Sequence, residues 1–179
     1  MFEIVTEAVV LDKENLGESD SRVFLYAKDL GKVTARVTSA RKITSKLSPH
    51  LEPFNYITAR LVSRLEGAEG QFYQLADSLR IDAGSSLIKS LSALLFFKSV
   101  LPNGIPDSGV WDFLIQMVQG RPADLEAILK LLGFDPLFAS CEICKRVQPE
   151  YFYAKSNFFV CRPCVLNSKE DKINFIKIK

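Results

Sequence analysis

Two cysteine pairs limit what this chain can fold into more sharply than anything else in it. Cys141-Glu142-Ile143-Cys144 and Cys161-Arg162-Pro163-Cys164 are separated by residues 145 to 160, the spacing of a four-thiolate zinc site. Two residues between thiols let one tight turn bring both sulfurs to the same ion, and Zn²⁺ takes four such ligands tetrahedrally. Four thiolates leave no open position, so the expected Zn²⁺ is structural, with Cys141, Cys144, Cys161 and Cys164 as its ligands. Iron–sulfur ligation and a redox dithiol are the alternatives. Phe152, Tyr153, Phe158, Phe159 and Val160 are expected to make the strands of a ribbon that packs beneath the metal.

That reading requires a reducing compartment. Met1-Phe2-Glu3-Ile4-Val5-Thr6-Glu7 lacks the regions of a signal peptide and no twenty-residue apolar run follows, so a cytoplasmic protein with no membrane partner is expected. With 179 residues, 47% hydrophobic and 25% charged, the chain has the composition of a folded globular protein of one large or two small domains.

The first half reads as short strands over roughly residues 2–11, 21–28, 32–41, 54–64 and 70–79. Asn15-Leu16-Gly17-Glu18-Ser19-Asp20 separates the first two, and Lys28-Asp29-Leu30-Gly31 has the Gly-ended form of a hairpin loop. The longer link from Lys42 to Pro53 has room for one helical turn. Five strands with a longer insertion between the third and fourth outline an OB-type barrel, with an SH3-like barrel as the alternative.

Strand and charge patterns coincide in the third strand. Val33, Ala35 and Val37 alternate with Thr34, Arg36 and Thr38, placing apolar residues on one face and polar ones on the other. From Lys32 to Arg64 the cations are Lys32, Arg36, Arg41, Lys42, Lys46, Arg60 and Arg64, against the single carboxylate Glu52. With a formal net charge of only +2 for the whole chain, this positive segment is local, and a phosphate backbone is its natural partner. Arg36, Arg41, Lys42 and Lys46 are the expected phosphate contacts, with Lys32 and Arg60 as outlying candidates. Phe24 and Tyr26 on the neighbouring strand are expected to be core rather than base-stacking residues.

From about Asp82 the period becomes helical. Leu87, Ile88, Leu91, Leu94, Leu95 and Val100 form one stripe ended by Pro102-Asn103-Gly104, and a second helix runs from Ser108 to about Gln119 with Val110, Phe113, Leu114, Met117 and Val118 inward. The third opens at Pro122 and carries Leu125, Ile128, Leu129 and Leu132 to Gly133. Short loops imply a packed bundle. No phosphate-cradling glycine loop is present, the single histidine is His50, and Glu18 with Asp20 read as turn residues rather than a Mg²⁺ site. No enzyme is expected.

Thr6-Glu7-Ala8-Val9-Val10-Leu11, Gly17-Glu18-Ser19-Asp20, Gly31-Lys32-Val33, Ser45-Lys46-Leu47, Leu51-Glu52-Pro53-Phe54 and Leu131-Leu132-Gly133-Phe134-Asp135-Pro136, followed by the cysteine pairs, together resemble the RecO family of DNA recombination and repair mediators. The resemblance implies an α+β multidomain fold: a five-stranded OB-fold DNA-binding domain over residues 1–80, then a helical domain over 81–179 containing a four-cysteine zinc module at about 138–168. It also implies a bacterial, nucleoid-associated protein that binds single- and double-stranded DNA and anneals complementary strands. With RecR, it would help load RecA onto strands coated by single-stranded-DNA-binding protein. Family members continue with more helix after the cysteines, where Val165 to Lys179 stand here. A second class, an RNA-binding zinc-ribbon module of translation or transcription, shares every argument from composition.

Overall fold

The computed structural model describes residues 1–63, 72–82, 91–121, 124–146 and 148–178. Arg64, Leu87, Ile88 and Pro122, singled out above, lie outside them, as do the side chains of Leu91, Leu94 and Leu95. The chain divides into two units, Met1–Lys89 with Leu101–Pro122 and Ser90–Val100 with Ala123–Lys179. Residues 101–122, grouped above with the helices, thus belong with the strands of the first half.

The five strands are β1 (Phe2–Leu16), β2 (Asp20–Ala27), β3 (Gly31–Val37), β4 (Tyr56–Ser63) and β5 (Phe72–Asp82). Hydrogen-bonded neighbours run β1-β2-β3-β5-β4, and β4 returns to β1, closing a barrel with no free edge. All neighbours are antiparallel except β3 and β5, which pair in parallel from Thr34↔Phe72 to Arg36↔Gln74. One strand serves two partners: β1 pairs with β4 from Phe2 to Val9 and with β2 from Ala8 to Leu16, its register shifting between Val10 and Asp12. Such a bulge bends and twists a strand, which lets β1 turn the corner of the barrel.

Inward positions follow the period of two. Val23, Leu25, Val33, Ala35, Val37, Ile57, Ala59, Leu61 and Leu75 fill the interior, with alanines where a narrow barrel leaves little room. The link between β3 and β4 contains the expected helical turn, a 3-10 turn at Ser48–Leu51. Asn55 satisfies its carbonyls, donating to the Pro49 and His50 oxygens at 3.2 and 3.0 Å. His50 donates from Nδ1 to the Ser78 carbonyl at 2.6 Å, tying this turn to β5.

Helix α1 (Leu91–Val100) belongs to the second unit and α2 (Ser108–Val118) to the first. Asp107 caps α2 by accepting from the Val110 N–H at 2.9 Å. The start of α2 covers a cross-strand row on the outside of the barrel, Tyr26–Val9–Tyr56. Asp107 N–H donates to the Tyr26 hydroxyl at 2.9 Å, and Trp111 meets Tyr56 edge-on at 6.0 Å. Trp111, only 7% exposed, is thus part of the packing. Phe113, expected inward, is half-buried. Burial, and then Glu7, pushes the Tyr56 hydroxyl up to about 12.

In the second unit α3 (Leu125–Leu131) starts behind Asp124, which accepts from the Glu126 and Ala127 N–H groups, and buries Ile128 and Leu129. Three short strands follow, β6 (Tyr151–Tyr153), β7 (Phe158–Val160) and β8 (Phe175–Lys177), in the order β7-β6-β8, with α4 (Arg162–Asn167) between the last two.

Candidate metal centre and nucleic-acid interface

The sulfurs of Cys141, Cys144, Cys161 and Cys164 lie within 4.8 Å of one another, and the thiols are free. Among the described residues this is the one group of three or more potential ligand side chains so placed. A tetrahedron of ~2.3 Å zinc–sulfur bonds has sulfur–sulfur edges of about 3.8 Å, so the four thiols fit one such ion. Each pair is set by a local turn. Lys145, at φ 58, closes the first by donating its N–H to the Cys141 carbonyl at 2.8 Å. Cys161 precedes α4 with extended backbone, and Pro163 sits in the first turn of that helix, where no donor is needed.

Backbone donors orient the sulfurs. Burial raises the Cys141 pKa, but the N–H groups of Cys144, Cys161 and Ile143, with the Cys144 thiol, outweigh it and bring the value down to about 6. Cys164 goes the other way, to about 12, through burial and then the neighbouring Cys161, Cys144 and Cys141 thiols. The cluster accommodates one thiolate readily and resists the next, a charge problem that a divalent cation resolves.

The ribbon strands lie where the sequence places them, yet their aromatics part to two faces. Tyr153, Val160, Val165 and Phe175 pack with Cys141 and Cys161. Phe152 and Phe159 pair at 5.2 Å on the other face, where Phe96 of α1 and Phe134 meet Phe152 at 5.9 and 5.3 Å. The period of two explains the split, since neighbours in a strand cannot share a face.

On the barrel the cations fare unequally. Arg36 is exposed but bonded through Nε and Nη2 to Asp20 Oδ2 at 2.9 and 2.6 Å. Arg60 pairs with Glu3 at 3.3 Å. Arg41 donates to the Gly17 carbonyl at 2.8 Å, its own N–H bonding the Ser19 carbonyl, so the β1–β2 and β3–β4 links are stitched together. Lys42 and Lys46 are exposed and have no ion partner among the described residues. Lys32 is half-buried beside Asn103, with which it forms a bridge. The one-signed segment is therefore neutralised in part by carboxylates from β1 and β2, which are distant in sequence.

Residues 1–77 match the family model described as Recombination protein O N terminal. A DNA repair protein RecO from Thermodesulfovibrio yellowstonii is 26% identical over 89% of this chain and 69% of its own length. One from Alkaliphilus metalliredigens is 25% identical over 98% and 78%. Over most of its length the chain is thus similar to RecO proteins. A third relative, the DNA repair protein RecO of Myxococcus xanthus, is 26% identical over 92% of this chain and 73% of that protein. The matched N-terminal model spans β1 to β4 and the start of β5, and so takes in the basic face. No described helix is long and apolar enough to cross a membrane.

Sequence reasoning missed three features. Arg22, on β2, stands directly across from Arg36 and is half-exposed; its alternation with buried Ser21 and Val23 was the available signal. Helix α4 and strand β8, after the second cysteine pair, carry too few residues to show a period. Tyr26, expected in the core, is buried, but beneath α2 on the outside of the barrel.

Proposed function

We propose that the chain is a non-enzymatic DNA-binding mediator of repair and recombination, whose barrel is an OB fold that holds phosphates on the face carrying Arg36, Arg41, Lys42 and Lys46. The observation that carries this reading is the exposed run of Arg41, Lys42 and Lys46 beside β3, in a barrel with the 1-2-3-5-4 strand order. Lys32 and Arg60 lie at the margin of the face. Annealing follows from charge: two polyanionic strands approach only when cations neutralise them, and the bound protein supplies those cations. Single- and double-stranded DNA, RecR and single-stranded-DNA-binding protein are the partners this reading carries, with RecA served indirectly. Residues 1–80 hold the strand and 81–179 carry the zinc module. Zn²⁺ on Cys141, Cys144, Cys161 and Cys164 would be structural: four thiolates give it no open position for catalysis.

With about four phosphate contacts, the log affinity for a single strand should fall against log salt with a slope of roughly −3, and removal of one cation should lessen it by about 0.7 whatever the base sequence. Salt titrations of wild type, Arg41→Ala, Lys46→Ala and the α3 variant Lys130→Ala check this. Unchanged slopes in the first two with a change in Lys130→Ala would move the strand off the barrel. Preference for RNA over single-stranded DNA in competition would instead favour the RNA-binding ribbon module.

No nuclease activity is expected. Asp20 is occupied by Arg36 and by the Ser39 N–H, and His50 by a carbonyl, leaving neither poised for Mg²⁺ or proton transfer. Incubation of labelled strands with protein and Mg²⁺ should yield no cleavage. Turnover that copurifies with the protein and vanishes in Glu18→Ala would overturn this.

A further inference from the structure

The outer face of β2 and β3 carries two arginines at one cross-strand position. Arg22 is registered directly opposite Arg36. Their neighbours Ser21, Val23, Ala35 and Val37 are all buried, so both arginines leave the barrel on the same side. Directly opposed residues have Cβ atoms roughly 5 Å apart, a distance at which like charges oppose pairing. The row continues to Glu14 on β1, opposite Arg22, and to Gln74 on β5, opposite Arg36. Carboxylates flank the arginine pair, and one of them is held unusually firmly. Asp20 Oδ1 accepts from the Ser39 N–H at 2.9 Å and the Ser19 hydroxyl at 3.2 Å, while Oδ2 takes both bonds from Arg36. The Asp20 side chain is 14% exposed and that of Arg36 59%.

The Ser39 contact requires only a carbonyl-type oxygen, which asparagine also supplies; the negative charge of Asp20 serves Arg36. That pairing engages two of the five guanidinium N–H donors and leaves the rest available. The Arg36 guanidinium is open to water, which screens its attraction to Asp20, and a phosphate between two guanidinium groups is the better partner.

We infer that Arg22 and Arg36 together seat one phosphodiester of a bound single strand, and that Asp20 is an internal anion that holds Arg36 in the free protein and limits how tightly the strand is held. This rests on the DNA-binding reading above. Anchored by Ser39, Asp20 stays beside the seated phosphate as a repelling charge, which favours release of a strand that must be passed on.

Salt titrations of oligothymidine binding test this with wild type, D20N, R22Q and, as a reference, Arg41→Ala. D20N is expected to bind about fivefold more tightly near 0.1 M salt with a slope steeper by about 0.7, and R22Q to weaken and flatten binding by the same amounts. Asp20→Ser, whose hydroxyl can also accept from Ser39, repeats the charge removal should D20N fold poorly. If Arg41→Ala lessens the slope while the Asp20 variants bind no more tightly than wild type, or R22Q is unchanged, the seat is wrong and the DNA-binding reading stands. If wild type does not bind the oligonucleotide, both fall.

Discussion

Replacing Cys161 with serine is expected to unfold the module built on β6, β7 and β8 while leaving the barrel folded. Strands of three residues each cannot hold a sheet together by their own hydrogen bonds, and segments below about 40 residues generally need a metal or disulfides. Cys161 is buried, immediately precedes α4 and packs among Cys141, Tyr153, Val160, Val165 and Phe175. Structural zinc in small modules contributes on the order of 10–16 kcal/mol near neutral pH, and that binding energy is folding energy. Loss of one thiolate forfeits much of it. Limited proteolysis should cut the variant within residues 141–178 while sparing β1 to β5, and elemental analysis should find one zinc in wild type and little in Cys161→Ser. A chelator should reproduce the cleavage pattern. Acid should as well, since protons compete with the metal for the sulfurs. Iron in the wild-type protein, or a metal-free sample with the same protease resistance, would sink the zinc assignment.

The second large effect is expected at Gly31. Its φ of +67 lies in the left-handed region, and a Cβ built there would stand 2.2 Å from the Ile105 carbonyl oxygen and 2.4 Å from its carbon. Backbone cannot yield as the tip of a side chain does. The segment around Ile105 would have to lift, straining the Gly104 N–H bond to the Lys32 carbonyl at 2.9 Å and the Asp107–Tyr26 contact that holds the start of α2. Gly17 provides the control, since its φ is +66 but nothing lies within 4 Å of its missing Cβ. Gly17→Ala should cost about 1 kcal/mol, the penalty of the conformation alone. Gly31→Ala should cost about 3 kcal/mol or more, within the range of disrupted cores. Urea melts of the two variants check this; equal losses would show that the approach of Ile105 does not constrain the barrel.

Much of the architecture was written locally. The alternation of Val33, Ala35 and Val37 with Thr34 and Arg36 placed β3 and its inner face correctly, because a period of two is a property of any extended chain with one wet side. The four cysteines were equally legible, since the turn that joins two thiols through two residues is closed within the pair itself. Helix α2 began at Ser108 as its pattern indicated. Its companions were not legible, because an apolar stripe says that a helix buries one face and not against what. The start of α2 covers the outer row Tyr26–Val9–Tyr56, an assignment that depends on pairings between strands up to 47 positions apart, such as Val9↔Tyr56.

Strand faces, the start of α2 and the thiolate pairs could be read along the chain because their physics is complete within a few residues. Which charges on the barrel remain available depends instead on how the strands come together. Arg36 belongs to a basic run in sequence, yet barrel closure brings Asp20 of β2 to 2.6 Å from it and sets Arg22 across from it, while Glu3 meets Arg60. Coulomb energy depends on distance through space and on what lies between the charges. Counting signs along the chain could identify a basic segment but not its surviving field.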